Sequence, residues 1–311
     1  MRGGFVSREF VRMSQFSLGE KLRRAASQQT LAVPGAFNAL SAKMAQQAGF
    51  QAIYLSGAAF SAGALAMPDM RLFTLTKLMQ HTLTLTRSVE IPLVVDADTG
   101  FGEPVNVERT VRELEACGAA AIQMEDQVLP KRCGHLTGKS LVSPSAMCAK
   151  LRAAVAARRD PQLVLLARTD ARSVEGLDAA IDRSLQYVAA GADWIFPESL
   201  QTRDEFAQFA AKVPVPLVAN MTEFGQSELL SVAELQALGY AAVLFPVTLL
   251  RLAMKAVSQG LQTLMSEGTQ QSLLPQMQTR QELYDLLGYA GFEEADRRYF
   301  GSAEELKTPE N

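Results

Sequence analysis

Hydrophobic and polar positions follow one another along this chain in a repeating unit, in which a helical stretch ends in glycine and a short apolar run follows at once. The unit recurs at Gly49, Gly118, Gly191 and Gly239. Glycine adopts the left-handed conformation that ends many helices without steric cost. Repetition of helix, glycine and buried strand is typical of α/β proteins with a parallel sheet.

Eight apolar runs in the chain have the length and composition of strands. They begin near Leu31, Ala52, Pro92, Ala120, Leu163, Asp193, Val215 and Ala241. Near-continuous apolar strands indicate a sheet that is covered on both faces, and eight such α/β units predict one (β/α)₈ barrel. We therefore expect an N-terminal tail over residues 1–16 and a single barrel domain over 17–311, with C-terminal helices from about residue 250.

Two of the intervals between strands are longer than the rest, from Ala52 to Pro92 and from Ala120 to Leu163. We place the surplus in the loops that follow the second and fourth strands. In this fold such loops lie on the catalytic face, where they often act as lids.

Overall composition limits the classes of function. A net charge of −3 gives no basic face for a nucleic acid, and no apolar run is long enough for a membrane span. The three cysteines, Cys117, Cys133 and Cys148, are odd in number and irregularly spaced. They predict no disulfide framework, and they favour a reducing, cytoplasmic compartment.

Polar side chains follow the apolar part of most strands. They are Ser56, Asp96, Asp98, Glu125, Asp126, Arg168, Asp170, Glu198, Asn220 and Thr222. A single residue of this kind could cap the next helix or pair with a neighbour. Polar groups at six strand ends together predict an active site, because the carboxyl ends of barrel strands carry the chemistry of this fold.

Asp96 and Asp98 predict a metal site. Strand alternation places both on one side of the third strand, and Glu125 ends the neighbouring strand. Clustered carboxylates suit Mg²⁺, with Mn²⁺ as an alternative, whereas a chain with two histidines is poorly suited to a zinc site. The competing interpretation is that Asp98 caps a helix and that Gly100 and Gly102 only make a turn.

The segment Lys131-Arg132-Cys133-Gly134-His135 lies in the long interval after the fourth strand. Neighbouring cations favour a thiolate, so Cys133 is a candidate catalytic residue. A solvated basic loop is the alternative.

Arginines are candidates for binding an anionic substrate. Arg168 ends an apolar strand, and its planar guanidinium suits a substrate carboxylate. Arg251 and Arg280 could add to that site.

These motifs together resemble the isocitrate lyase/phosphoenolpyruvate mutase superfamily. The resemblance rests on YLSG, PD at 68–69, VDADTGFG, MEDQ, KRCGH, ARTDA, FPE, NMTEFG and QTR, and it runs from about residue 17 to 300. It implies a Mg²⁺-dependent carbon–carbon lyase that forms homotetramers. Within the superfamily, the compact chain is most similar to lyases that split a methyl-branched tricarboxylate into pyruvate and succinate.

The resemblance also implies roles for individual residues. Asp96 and Asp98 would hold the metal, with Asp69 and Glu125 near it, and Cys133 would be the catalytic acid. The implied substrate contacts are Ser56, Gly57, Ala58, Cys133, Gly134, Arg168, Glu198, Asn220, Met221, Thr222, Arg251 and Arg280.

The identity of the general base stays open among Glu125, Tyr54 and a water molecule. Alternative activities are those of an isocitrate lyase or of an enzyme that processes oxaloacetate or phosphonopyruvate. A non-enzymatic binding protein on this scaffold would be expected to lose the carboxylates or the cysteine, and both are kept.

Overall fold

Eight parallel strands form in the places where the chain has its apolar runs. The computed structural model describes residues 16–132 and 138–300. The strands are β1 Leu31–Pro34, β2 Ile53–Leu55, β3 Leu93–Asp96, β4 Ala121–Glu125, β5 Val164–Thr169, β6 Trp194–Pro197, β7 Val218–Asn220 and β8 Ala242–Phe245. The predicted strands are therefore confirmed, each starting within three residues of its expected position.

The strands close into a ring. β2 to β6 form a five-stranded parallel sheet in sequence order, and β7, β8 and β1 form a three-stranded parallel sheet with β8 in the middle. Two isolated parallel bridges, Gly35 with Tyr54 and Ile195 with Leu217, join the sheets at β1–β2 and β6–β7. Every strand thus neighbours the next and the eighth neighbours the first, which is the predicted barrel.

Helices occupy most of the segments between strands. They are α1 Leu18–Gln28, α2 Ala39–Gln47, α3 Gly57–Leu65, α4 Leu75–Thr86, α5 Pro104–Ala116, α6 Pro144–Ala157, α7 Leu177–Ala189, α8 Arg203–Lys212, α9 Val232–Ala237, α10 Thr248–Glu267, α11 Arg280–Leu287 and α12 Tyr289–Phe300. Short 3-10 turns lie at Ala171–Ser173 and Gln271–Gln276.

The surplus after β2 differs from the expectation, because much of it is helix α3 and not loop. The Ser56 hydroxyl accepts a hydrogen bond from the Ala59 N–H and so caps the helix at the very end of β2. Four alanines among the nine residues of α3 favour the helical conformation.

The surplus after β4 is a loop whose two arms pair with each other. Val128 N–H donates to the Ser140 carbonyl at 2.8 Å, and Val142 N–H donates to the Asp126 carbonyl at 2.9 Å. Residues 133–137 between the arms, including Cys133 and Gly134, lie outside the described residues.

The barrel strands separate two apolar layers. One set of alternate side chains fills the interior, including Val33, Tyr54, Val94, Leu166 and Phe196. The other set packs outwards against the helices in the larger core cluster. Since successive strand residues point to opposite faces, sequence parity decides which layer each side chain joins.

The chain divides into two compact units, one ending at Leu250 and one starting at Arg251. The first holds the barrel. The second holds most of α10 together with α11 and α12, and none of its described residues up to Phe300 is buried. No helix within 16–132 or 138–300 has both the length and the apolar character needed to cross a membrane.

Candidate active site

Polar residues continue the interior rows of the strands at their carboxyl ends. Asp96 follows Val94 two positions later, and Arg168 follows Leu166 in the same way. Glu125, Glu198 and Asn220 occupy the matching parity on β4, after β6 and on β7. One rule of alternation therefore brings these side chains from different strands to one end of the barrel interior.

Asp96 is held by donors on both carboxylate oxygens. Its Oδ2 accepts the Gly57 N–H at 3.1 Å, and its Oδ1 accepts the Asp98 N–H at 3.0 Å and the Gln123 side-chain amide at 3.1 Å. A Cβ at position 57 would lie 3.1 Å from Asp96 Oδ2, so the close approach favours glycine there. The Tyr54 hydroxyl donates to Gln123 Oε1 at 2.8 Å and fixes the orientation of that amide.

Asp98 lies fully buried beside a lysine from the loop after β4. Lys131 Nζ is 2.9 Å from Asp98 Oδ1 and 2.5 Å from Asp69 Oδ1. Burial raises the pKa of Asp98 to about 6, although the Lys131 ammonium opposes the shift. Burial by itself would lower the pKa of Lys131, but the carboxylates led by Asp98 outweigh it and the net shift is upwards.

The carboxylates fit a hard cation. Asp98 Oδ2 is buried and accepts no hydrogen bond, which leaves an acceptor-only oxygen available to a metal ion. Asp98 also holds a backbone φ of 48°, a strained conformation of the kind that collects at functional sites. Among the described residues, no cluster of three or more carboxylate, imidazole or thiol groups has the arrangement of a metal site. The positive charge beside Asp98 and Asp69 comes from the Lys131 ammonium.

Arg168 lies among three carboxylates. Its Nε and Nη2 donate to Asp170 at 3.0 and 3.1 Å, its Nη1 is 3.3 Å from Glu198 Oε2, and its Nε is 3.4 Å from Glu125 Oε2. Burial would lower the pKa of Arg168, but Asp170, Glu198 and Glu125 raise it well above its ordinary value. The guanidinium therefore stays charged in a site that excludes most water.

Two candidate bases are both deeply buried. Burial raises the pKa of Glu125 well above its ordinary range, against the opposing charges of Arg168 and Lys131, and its Oε1 accepts no hydrogen bond. Burial, reinforced by Asp96, raises the pKa of Tyr54 well above 10.0. Tyr54 therefore remains a protonated donor near neutral pH, whereas Glu125 has a higher proton affinity than an exposed carboxylate.

The remaining predicted contacts within the barrel unit fall in two places. Ser56, Gly57 and Ala58 form the start of α3, next to Asp96. Asn220 Nδ2 lies 3.3 Å from Glu198 Oε2 while its Oδ1 is buried without a partner, and Thr222 is half-buried just beyond.

Met221 differs from Asn220 in the direction of its side chain. It packs in the outer core, where its sulfur accepts the Leu230 N–H at 3.2 Å. Only its backbone therefore remains available to a ligand in the barrel interior.

Four of the predicted substrate contacts lie outside the described part of the barrel unit. Cys133 and Gly134 lie outside the described residues, and Arg251 and Arg280 belong to the second unit. Their assignments stay predictions.

Sequence reasoning missed Gln123 and Lys139, which hold the site in place. It named Asp170 as a strand-end polar residue and Lys131 as a neighbour of Cys133, but it gave neither of them its contact in the site. Parity could have indicated Gln123, which is two positions before Glu125. No local pattern could have indicated that Lys131 reaches Asp98 or that Lys139 reaches Asp170, because those contacts depend on how the loop folds back.

Comparisons with known proteins agree with the barrel. The family model described as phosphoenolpyruvate phosphomutase matches residues 22–265. The chain is 53% identical over 278 residues to 2-methylisocitrate lyase from Aeropyrum pernix, with 89% of each chain covered.

Two solved structures show how far this fold extends across reactions. One is 2,3-dimethylmalate lyase, with a TM-score of 0.86, 33% identity and coverage of 93% of this chain and 97% of that one. The other is oxaloacetate acetylhydrolase, with a TM-score of 0.87, 33% identity and coverage of 92% and 98%. Because a lyase and a hydrolase match equally well, the fold alone does not select the reaction.

Proposed function

Because this chain belongs to the phosphoenolpyruvate phosphomutase family, we propose that it is a carbon–carbon lyase that cleaves 2-methylisocitrate into pyruvate and succinate. The observation that carries the proposal is the contact between Lys131 and Asp98 at 2.9 Å. Lys131 precedes Cys133 by two residues, so this contact ties the cysteine-bearing loop to the carboxylates of the site. An enzyme that used the carboxylates alone would have no need of a cysteine in this segment of the sequence.

We propose Mg²⁺ as the cofactor, with Mn²⁺ as an alternative. Asp98 would bind it through the oxygen that lacks a partner, Asp96 would contribute from the same strand end, and Asp69 and Glu125 would lie near it. When bound, the ion would act as a Lewis acid and neutralise negative charge on the pyruvate side of the substrate.

The protein's own side chains would bind the substrate and transfer the protons in a retro-aldol cleavage. Arg168 binds a substrate carboxylate, and Asn220 Oδ1 is free to accept a substrate hydroxyl. Glu125 Oε1 accepts the hydroxyl proton as the carbon–carbon bond breaks and the carbonyl of pyruvate forms. The bonding electrons pass to the carbon that becomes part of succinate, and the Cys133 thiol donates a proton to that carbon.

The test of this proposal is to measure the products formed from three substrates in turn. Cleavage of 2-methylisocitrate gives pyruvate and succinate, cleavage of isocitrate gives glyoxylate and succinate, and oxaloacetate gives oxalate and acetate by hydrolysis or pyruvate by decarboxylation. We expect turnover with 2-methylisocitrate, at the highest kcat/KM of the three, and loss of turnover after treatment with EDTA. A higher kcat/KM with isocitrate would reassign the chain to isocitrate lyase chemistry. Oxaloacetate as the only substrate would instead indicate a hydrolase or decarboxylase.

We also propose that the chain acts in the cytoplasm as a homotetramer. Cys117 and Cys148 are free thiols, which suits a reducing compartment. The C-terminal unit supports assembly, because six apolar side chains of α10 are 46–90% exposed: Leu252, Met254, Val257, Leu261, Leu264 and Met265. Exposed apolar surface of this extent is typical of a protein–protein interface.

Light scattering should give a mass four times that of the chain. Leu261→Glu would bury a charge in the proposed interface and should shift the protein to smaller species, while Gln262→Glu adds the same charge at a polar position and should not. A monomer at micromolar concentration for the unmodified chain would contradict the tetramer.

A further inference from the structure

A buried aspartate holds the arginine of the site in a fixed orientation. Arg168 Nε donates to Asp170 Oδ2 at 3.0 Å and Nη2 donates to Asp170 Oδ1 at 3.1 Å. This paired contact fixes both the plane and the rotation of the guanidinium. One edge of the group is thereby occupied, and the Nη1 group is directed to the side of Glu198, 3.3 Å from its Oε2.

Asp170 is itself held firmly. Its N–H donates to Asp126 Oδ1 at 2.9 Å, and Asp126 Oδ2 accepts from the Thr169 and Tyr187 hydroxyls at 2.7 Å each. Both carboxylates are fully buried. A group fixed by this many partners can hold a binding residue in place before the substrate arrives, which lowers the entropic cost of binding.

Lys139 neutralises part of the negative charge that surrounds Arg168. Glu125, Asp170 and Glu198 all lie within 3.4 Å of Arg168, so a lone guanidinium would face an excess of negative charge. Lys139 Nζ donates to Asp170 Oδ1 at 2.8 Å, and both side chains are buried. Because charges interact strongly where water is excluded, neutralising Asp170 keeps Arg168 attractive to an anion.

We propose that Asp170 and Lys139 act together as positioning residues that present Arg168 to a carboxylate of the substrate. The inference rests on the proposed function for the identity of the substrate, though not for the anion contact itself. Asp170 acts on the substrate through Arg168, and Lys139 acts through Asp170. Their loss should therefore weaken substrate binding more than it slows the chemical step.

Asp170→Asn is the first test. The asparagine amide N–H would face a guanidinium N–H, so at least one of the two hydrogen bonds is lost without a change of volume. We expect KM to rise about ten- to hundredfold, the value of one hydrogen bond to a charged group, while kcat changes by less than about threefold. Asp178→Asn is the matched control, since Asp178 pairs with Lys212 at 3.2 Å on the exposed surface.

Coupling to Arg168 separates positioning from a merely structural role. In an Arg168→Lys background no guanidinium remains to be oriented, so Asp170→Asn should add less than about a twofold change in KM. A full and additive effect in that background would overturn the proposal, as would an unchanged KM in the single variant. If Asp170→Asn does not fold, the Lys139→Met/Asp170→Asn pair removes both buried charges together and should give the same rise in KM.

A binding measurement keeps this inference separate from the proposed function. Calorimetric titration of the unmodified chain and of Asp170→Asn with succinate, in the presence of Mg²⁺, reports the anion contact without turnover. Weaker succinate binding in the variant would support positioning even if the unmodified chain failed to cleave 2-methylisocitrate. Equal succinate affinity in an enzyme that does cleave 2-methylisocitrate would overturn the positioning role alone.

Discussion

Asp98→Asn is expected to lower turnover at least about 10³-fold, because a metal ion that neutralises developing charge contributes several kcal/mol to catalysis. Asparagine keeps the shape of the side chain and removes the charged oxygen that has no hydrogen-bond partner. Lys131 would keep Asp69 as a partner at 2.5 Å, so its ammonium is not left alone and the fold should persist.

Binding of Mn²⁺ measured by electron paramagnetic resonance gives a readout that does not depend on turnover. The unmodified chain should bind the ion, Asp98→Asn should bind it far more weakly, and circular dichroism should be the same for both. Glu108→Gln removes a carboxylate from an exposed ion pair with Arg112 and serves as the control. Normal Mn²⁺ affinity in Asp98→Asn would place the metal elsewhere.

Cys133→Ser should lower kcat by about 10² to 10⁴-fold, the usual contribution of a general acid. A thiol has a pKa of about 8.5, whereas a serine hydroxyl is a far weaker acid of nearly the same size. KM and Mn²⁺ affinity should change little, because Arg168 and the aspartates provide the binding. Single-turnover measurement of pyruvate and succinate release would locate the loss in the chemical step.

The other two cysteines are natural controls for this substitution. Cys117 lies at the end of α5 and Cys148 lies within α6, and both are buried. Cys148 packs in the outer core cluster, where its thiol donates to the Gln186 carbonyl at 3.5 Å. Serine at either position should leave kcat within about threefold of the unmodified value, since neither thiol is near the reacting groups. Near-normal turnover of 2-methylisocitrate by Cys133→Ser would remove the thiol from the mechanism.

The strands could be predicted from sequence because each is a short apolar run, and four of the eight follow a helix that ends in glycine. The rim residues could be predicted for a related reason. Asp96, Arg168 and Glu198 interrupt rows that are otherwise apolar, and the carboxyl ends of barrel strands are where this fold places its polar chemistry. Alternation then gives the direction of each side chain without further information.

The parts that sequence could not predict depend on long-range contacts. Helix α3 was taken for loop because its nine residues, Gly57–Leu65, include no charged residue and show no amphipathic period that would reveal a helix. Lys131 and Lys139 sit in a segment whose sequence looks like a basic surface, yet they are 4% and 8% exposed. Both lysines are buried because they pair with carboxylates from distant parts of the chain. The largest separation is that between Lys131 and Asp69, which are 62 positions apart in the sequence.

The division of each strand into an inward and an outward row has a consequence for how such enzymes diverge. The outward row and the helices carry most of the apolar packing, so changes at the inward strand ends can accumulate without loss of the scaffold. Substitutions at a few inward positions can then give the enzyme a new substrate, while the outward row and the helices stay unchanged. An insertion of one residue within a strand would be far more damaging, because it would exchange the two rows and turn the carboxylates of the candidate site towards the apolar layer beneath the helices.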